Sequence, residues 1–127
     1  RETLGGLHKK YGVEPDMAVF GKALGNGYSI TAVIGRREVM EAAQSTFISS
    51  TFWTERIGPA AGLKTLELME REKSYEKITK KGRQIGKCWQ ELAREHNLPL
   101  EISGLPALIN FRIPVENWLK YKTYIMQ

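Results

Sequence analysis

Apolar residues in this chain come first in short unbroken runs and later at helical spacing. Met17-Ala18-Val19-Phe20 is one such run and Ile30-Thr31-Ala32-Val33-Ile34-Gly35 is a second. Runs of this length without polar alternation predict strands buried in a covered sheet. Between them lies Gly21-Lys22-Ala23-Leu24-Gly25-Asn26-Gly27-Tyr28, a loop by its glycine content. Residues 1–16 also read as loop, Arg36 to Ala43 predicts a short helix, and residues 44–56, rich in Ser and Thr, show no period.

From Gly58 the spacing turns helical. Pro59 sits in a first turn, where its missing N–H is no loss, and Pro59, Gly62, Leu66 and Met69 follow at three- and four-residue steps as a predicted packing stripe. Ser74 is placed to cap a second helix that runs to about His96, with Ile78, Ile85, Trp89 and Leu92 on one face and Asn97 and Pro99 ending it. Leu100-Glu101-Ile102 and Ala107 to Ile113 predict strands, and Val115 opens a further helix. The order of elements predicts an α/β chain crossing a domain boundary near residues 70–75, with one domain over 1–72 and the next beginning at 73–127.

Composition narrows the class. With 127 residues, 42% apolar and 26% charged, the chain has the makings of an ordinary folded domain. No stretch approaches the roughly 18 apolar residues of a membrane helix, and the opening Arg1-Glu2-Thr3-Leu4-Gly5-Gly6 has no secretory character, so a cytoplasmic location without membrane partners is expected. An opening on an internal-looking Arg1, and an end at Tyr121 to Gln127 amid an apolar pattern, read as a piece of something longer. The single Cys88 has no partner for an internal disulfide and, among apolar helix positions, is expected as a buried structural thiol. His8 and His96 are far apart with no cysteines at ligand spacing, so no metal is expected. The net charge of +5 raises the question of nucleic acid, and Lys80-Lys81-Gly82-Arg83 is the densest basic run. Glu70, Glu72, Glu76 and Glu91 are interleaved around it, and no aromatics alternate with it to stack on bases. That is a solvated helix face, and no nucleic-acid partner is expected.

Lys22 is the residue with chemistry to explain. It directly follows an apolar strand, among Gly21, Gly25 and Gly27. Loops at strand ends carry ligands in α/β folds, and a lysine held near a buried cleft loses proton affinity and gains nucleophilicity. Such an amine suits Schiff-base formation with a carbonyl. A phosphate-binding P-loop is excluded, because Ala23 follows the lysine and Asp16 stands where that motif needs its first glycine.

The segment Pro15 to Tyr28, with its continuation Ala32-Val33-Ile34-Gly35-Arg36-Arg37-Glu38-Val39-Met40, resembles the lysine motif of class III aminotransferases, and within them the glutamate-1-semialdehyde 2,1-aminomutase group. The resemblance is strong over residues 1–72 and looser beyond. It implies the C-terminal part of a fold type I large domain, the start of a small C-terminal domain, and pyridoxal 5′-phosphate as cofactor. Lys22 is then the Schiff-base lysine and the base that moves protons during amino transfer. Ser49-Ser50-Thr51-Phe52 precedes an Ala60-Ala61-Gly62-Leu63 helix as the family's phosphate-contacting stretch does. By that likeness Thr51, with Ser50 beside it, reaches the cofactor phosphate of the neighbouring subunit in a homodimer.

Ser50 stands in place of a glycine, Trp53-Thr54-Glu55-Arg56 in place of the stretch ending Gly-Asn-Pro, and Ser29 where many relatives have proline. These departures favour a transaminase using small-molecule amino donors and acceptors over the aminomutase proper, and make Trp53 and Glu55 positions to test for specificity. By the resemblance, the aspartate that pairs with the pyridine nitrogen precedes Arg1, so the 127 residues alone are expected to be inactive. A basic nucleic-acid-binding module and an inactive remnant are the readings from other classes. Residues 17–35, without neighbouring strands, are expected to expose apolar surface.

Overall fold

In the computed structural model, which describes residues 2–127, the first two apolar runs pair with each other. Strand β1 (Met17–Phe20) and strand β2 (Ala32–Gly35) form an antiparallel ladder in which Met17 faces Gly35 and Phe20 faces Ala32. An Arg36–Asp16 ion pair at 3.0 Å, doubled by a bond from Arg36 N–H to the Asp16 carbonyl at 3.0 Å, closes the open end. Strand β2 begins two residues later than the apolar run because Ile30 is used elsewhere, against a helix described below. The expectation of buried strands is corrected: Val19 is 70% exposed and Ile34 58%, with Met17 and Val33 also open. Exposed apolar surface over 17–35 is what the lack of neighbouring strands led us to expect.

Helix α1 (Arg37–Met40) is a single turn that tightens into a 3-10 helix, Glu41–Ser45, and another 3-10 turn, Leu7–Tyr11, occupies part of the region read as loop. Helix α2 (Ile57–Glu72) starts at the predicted place and stops at Lys73, whose left-handed backbone lets its N–H reach the Glu70 carbonyl. These elements belong to one compact unit, Thr3–Ser74.

The second unit is Tyr75–Gln127, with which Glu2 also clusters. Helix α3 (Ser74–Glu95) ends where Asn97 turns left-handed and Leu98 N–H bonds the Ala93 carbonyl at 2.8 Å. Beside it lie strand β3 (Glu101–Ser103), a 3-10 turn over Pro106–Leu108 and strand β4 (Asn110–Arg112), antiparallel to β3, followed by helix α4 (Trp118–Ile125). The 3-10 turn takes up the start of what read as one strand from Ala107.

The core of this unit is small and lies under α3. Gly82, Gly86 and Ala93 are buried on it, Ile113 is 8% exposed, and the Trp89 ring meets Phe111 edge-on at 5.1 Å. The buried face is therefore Gly82, Gly86, Trp89 and Ala93, rotated from the predicted stripe; Ile78, Ile85 and Leu92 flank it and are 44–47% exposed. The same happens in α2, where Gly58 and Gly62 are buried while Pro59 is exposed and Leu66 is 41% exposed. In both helices the inward positions include glycines; at Gly82 the Pro106 backbone leaves no room for a side chain, while Gly58, Gly62 and Gly86 face the side chains of Tyr28, Ile30, Leu24 and Ile109.

Candidate active site

Lys22 leaves β1 by way of extended Gly21 and opens a short 3-10 turn, Lys22–Leu24. Its φ is +50°, a left-handed backbone that disfavours a side-chain-bearing residue by on the order of 1 kcal/mol. The loop holds it there through its own backbone. Leu24 N–H donates to Gly21 O at 3.1 Å, Gly25 and Asn26 N–H both donate to Lys22 O at 3.2 Å, and Tyr28 N–H donates to Gly25 O at 3.1 Å. Gly25 is buried, and a Cβ there would lie 2.0 Å from the Tyr28 carbonyl oxygen, so no other residue closes this turn.

The lysine side chain itself is exposed and, among the described residues, makes no hydrogen bond or ion pair. The buried cleft expected around it is not formed by residues 3–74; the loop supplies its floor and no walls.

Helix α2 is what this loop rests on. A Cβ at Gly62 would be 3.7 Å from Ile30 Cδ1 and 3.8 Å from Leu24, and one at Gly58 would be 3.4 Å from the Tyr28 ring and 3.5 Å from Ile30. The Glu55 carboxylate caps the helix: one oxygen accepts from Ile57 N–H and the other from Gly58 N–H at 3.0 Å. Pro59 has no N–H to satisfy, and Ala60 N–H already reaches Arg56 O at 3.1 Å, so Glu55 takes the free donors of the first turn. Glu55 also faces the Tyr28 phenol, whose pKa is raised above 10.0 by desolvation first, then by the Glu55 charge and a hydrogen bond to it.

The sequence reading put Glu55 forward for specificity and did not see this role. The signal was there, since an acidic residue just before Ile57-Gly58-Pro59 is a capping pattern.

Ser50 and Thr51 lie at the start of an exposed turn over residues 51–54. Ser50 Oγ accepts from Phe52 N–H at 3.2 Å, which orients the hydroxyl and leaves its own proton free to donate. No hydrogen bond or ion pair among the described residues links either of them to Lys22. Phe47 and Trp53 on the same stretch are 94% and 67% exposed. Cys88, expected as a buried thiol, is exposed: six residues beyond Gly82, it stands about 120° around α3 from the packed face. Among the described residues no cluster of His, Cys, Asp or Glu is arranged to hold a metal, and no helix is long and apolar enough to cross a membrane.

A strand that delivers a lysine among glycines, and a helix whose glycines seat that loop, make up a lysine-bearing α/β unit, and its likeness to known proteins places it among the fold type I pyridoxal-phosphate enzymes. The chain belongs to the class III aminotransferase family, whose model (Aminotransferase class-III) matches residues 6–124. The likeness therefore runs well past residue 72, through both units. The chain is 36% identical over 98% of its length to a 3-aminobutyryl-CoA aminotransferase of Cloacimonas acidaminovorans, covering 28% of that protein. It is 29% identical over 97% of its length to a glutamate-1-semialdehyde 2,1-aminomutase of Sulfurihydrogenibium azorense, covering 30% of it. Among solved structures it resembles the PLP internal aldimine form of the Sphingopyxis sp. MTA144 FumI protein, with a TM-score of 0.78, 26% identity and coverage of 82% of this chain and 25% of that one. The chain thus spans less than a third of the length of the relatives it matches.

Proposed function

We propose that this chain is the lysine-bearing part of a pyridoxal-phosphate-dependent aminotransferase, with Lys22 as the covalent anchor of the cofactor. The observation that carries the reading is the lysine's setting: an exposed, unpaired amine at a strand end, on a left-handed residue held by the backbone of its own loop. The donors fit the group. Its aldehyde needs a primary amine, and its phosphate needs hydroxyl and N–H donors of the kind offered by Ser50, Thr51 and their turn. When bound, pyridoxal phosphate supplies the electron sink for amino transfer.

The chain's own residues then have separable tasks. Lys22 Nζ takes up and returns a proton beside the substrate carbon, on a backbone position that the loop's own hydrogen bonds fix. Ser50 and Thr51 serve as phosphate ligands in a homodimer, reaching the neighbouring subunit's site. The exposed apolar faces of β1, β2 and α2, including Val19 and Leu63 at 70% each, are covered by further protein in the working enzyme, which also supplies the walls around Lys22. The division after Ser74 corresponds to the seam between the cofactor-binding domain and a smaller C-terminal domain.

Transamination with small-molecule amino donors and acceptors in the cytoplasm is the reading we adopt, supported by 36% identity to an aminotransferase against 29% and 32% to two aminomutases, and by the departures at Ser29, Ser50 and 53–56. The test is borohydride reduction of the full-length protein loaded with pyridoxal phosphate, followed by peptide mapping. The chain has eleven lysines, so selectivity decides: label concentrated on Lys22 supports the reading, and label scattered over the others overturns it.

A further inference from the structure

The Glu55 carboxylate sits where the lysine loop and the start of α2 meet. Its oxygens take the Ile57 and Gly58 N–H groups, and the Tyr28 ring lies against the same Gly58, whose added Cβ would be 3.4 Å from both Glu55 Oε2 and Tyr28 Cε1. Tyr28 is in turn part of the loop that fixes Lys22: its N–H donates to Gly25 O, its carbonyl accepts from Ile30 N–H at 3.0 Å, and that carbonyl fills the space beside Gly25. A continuous path of contacts therefore runs from Glu55 through Tyr28 and Gly25 to the backbone of Lys22.

We propose that Glu55 and Tyr28 form a latch that positions Lys22, joining the lysine loop to the capped end of α2. Glu55 acts through other groups and is a positioning residue. This deepens the function proposed above and rests on it for the role of Lys22. The rise in the Tyr28 pKa, with Glu55 contributing after desolvation, agrees with the two groups sharing one site. A cap alone would need only the two N–H bonds; the Tyr28 ring against Gly58, together with its hydroxyl facing Glu55, carries the restraint from helix to loop.

The experiment separates cap from latch. Tyr28→Phe keeps both N–H bonds to Glu55 and removes only the phenol hydroxyl, whereas Glu55→Ala removes cap and latch together, and Glu55→Gln retains one acceptor without the charge. Hydrogen exchange is measured on the cofactor-free full-length protein. Tyr28→Phe is expected to speed exchange of the Leu24 to Tyr28 amides about tenfold, the loss of one hydrogen bond to a charged group, while α2 stays protected. Glu55→Ala is expected to expose both regions, Glu55→Gln to lie between, and the double variant to exchange in the loop no faster than Glu55→Ala alone. With pyridoxal phosphate added, Tyr28→Phe is expected to shift the cofactor absorbance band and to lower the share of borohydride label on Lys22. Unchanged loop exchange in both Tyr28→Phe and Glu55→Ala, with only α2 fraying, would overturn the latch. A wild-type protein that takes no label at Lys22 overturns the function proposed above and leaves the exchange result to judge the latch by itself.

Discussion

Gly82 marks the closest approach between α3 and the segment that follows it. A Cβ built there would stand 1.7 Å from the Pro106 carbonyl oxygen and 2.5 Å from its carbon, so Gly82→Ala forces the backbone back to at least the 3.4 Å at which ordinary contact begins. Pro106 cannot retreat alone. Its turn is closed by Leu108 N–H on Leu105 O at 2.7 Å, and Leu108 O accepts from Asn110 Nδ2 at 2.9 Å, so β4 moves with it and carries Phe111 away from Trp89. Overpacking of this kind costs roughly 1–3 kcal/mol, and the aromatic contact adds about 0.5–1.5 kcal/mol. Alanine returns about 1 kcal/mol in helix propensity, which leaves a net loss on the order of 2 kcal/mol.

Gly86 provides the control one turn later. A Cβ there meets Ile109 Cδ1 at 2.4 Å, but that is the far end of a flexible side chain, and the next atom is 3.8 Å away. A rotamer change costing about 1 kcal/mol relieves the contact, and helix propensity offsets it, so Gly86→Ala should fall within roughly 0.5 kcal/mol of neutral. Native-state hydrogen exchange over β3, β4 and α3 reads the difference locally. Amides of β3 and β4 should exchange roughly 30-fold faster in Gly82→Ala and nearly unchanged in Gly86→Ala. Equal protection in the two variants, or greater damage from Gly86→Ala, would refute the assignment of Gly82 as the contact that sets this packing.

Trp89→Ala should destabilise the same unit by about 3 kcal/mol, the low end for an aromatic truncation because the ring is only half-buried, measured as a drop in the denaturant midpoint. Lys22→Gly relieves a left-handed backbone at φ +50° and should raise stability by about 1 kcal/mol in the cofactor-free protein while abolishing borohydride labelling at that position; a less stable variant would show that the conformation is not strained. Tyr28 has a folded pKa above its unfolded 10.0, so its contribution is complete below pH 10 and is lost as pH rises through the folded value. Ultraviolet titration should show a late-ionising phenol in wild type that is missing from Tyr28→Phe, with Glu55→Gln lowering its pKa only in part, since desolvation is the first cause.

The pattern of apolar residues located β1, α2 and α3 closely because each depends on a local period, and the lysine loop stood out because its glycines and lysine are contiguous. Burial was another matter. Periodicity records which residues ask to be covered, not whether the cover lies in the same stretch of chain, and Val19 and Ile34 are open for that reason. The inward faces of the helices were misplaced by a related cause: a hydrophobic scale passes over Gly58, Gly62, Gly82 and Gly86, whose value is that they have no side chain. Cys88 was expected buried because it lies among apolar helix positions, but on α3 it points about 120° away from the packed face and is exposed. The capping role of Glu55 was legible in the residues just before Pro59, but its approach to the Tyr28 phenol, 27 residues earlier, exists only once the chain has folded back on itself.

The glycines of α2 and the strain at Lys22 belong to one arrangement. A left-handed lysine persists only where its surroundings over-determine it, and here they do so in layers. Two amides converge on the Lys22 carbonyl, the buried Gly25 admits the Tyr28 carbonyl, and Leu24 and Ile30 pack where α2 presents Gly62. A Cβ at Gly62 would meet Ile30 and Leu24 at 3.7–3.8 Å, ordinary contact, so Gly62→Ala fits this seat, whereas a bulkier side chain would press on Leu24 and Ile30, between which the turn lies. The distance in sequence between the lysine motif and the helix that follows is thus spanned by packing: Leu24, Tyr28 and Ile30 of the loop lie against Gly58 and Gly62 in the first turns of α2.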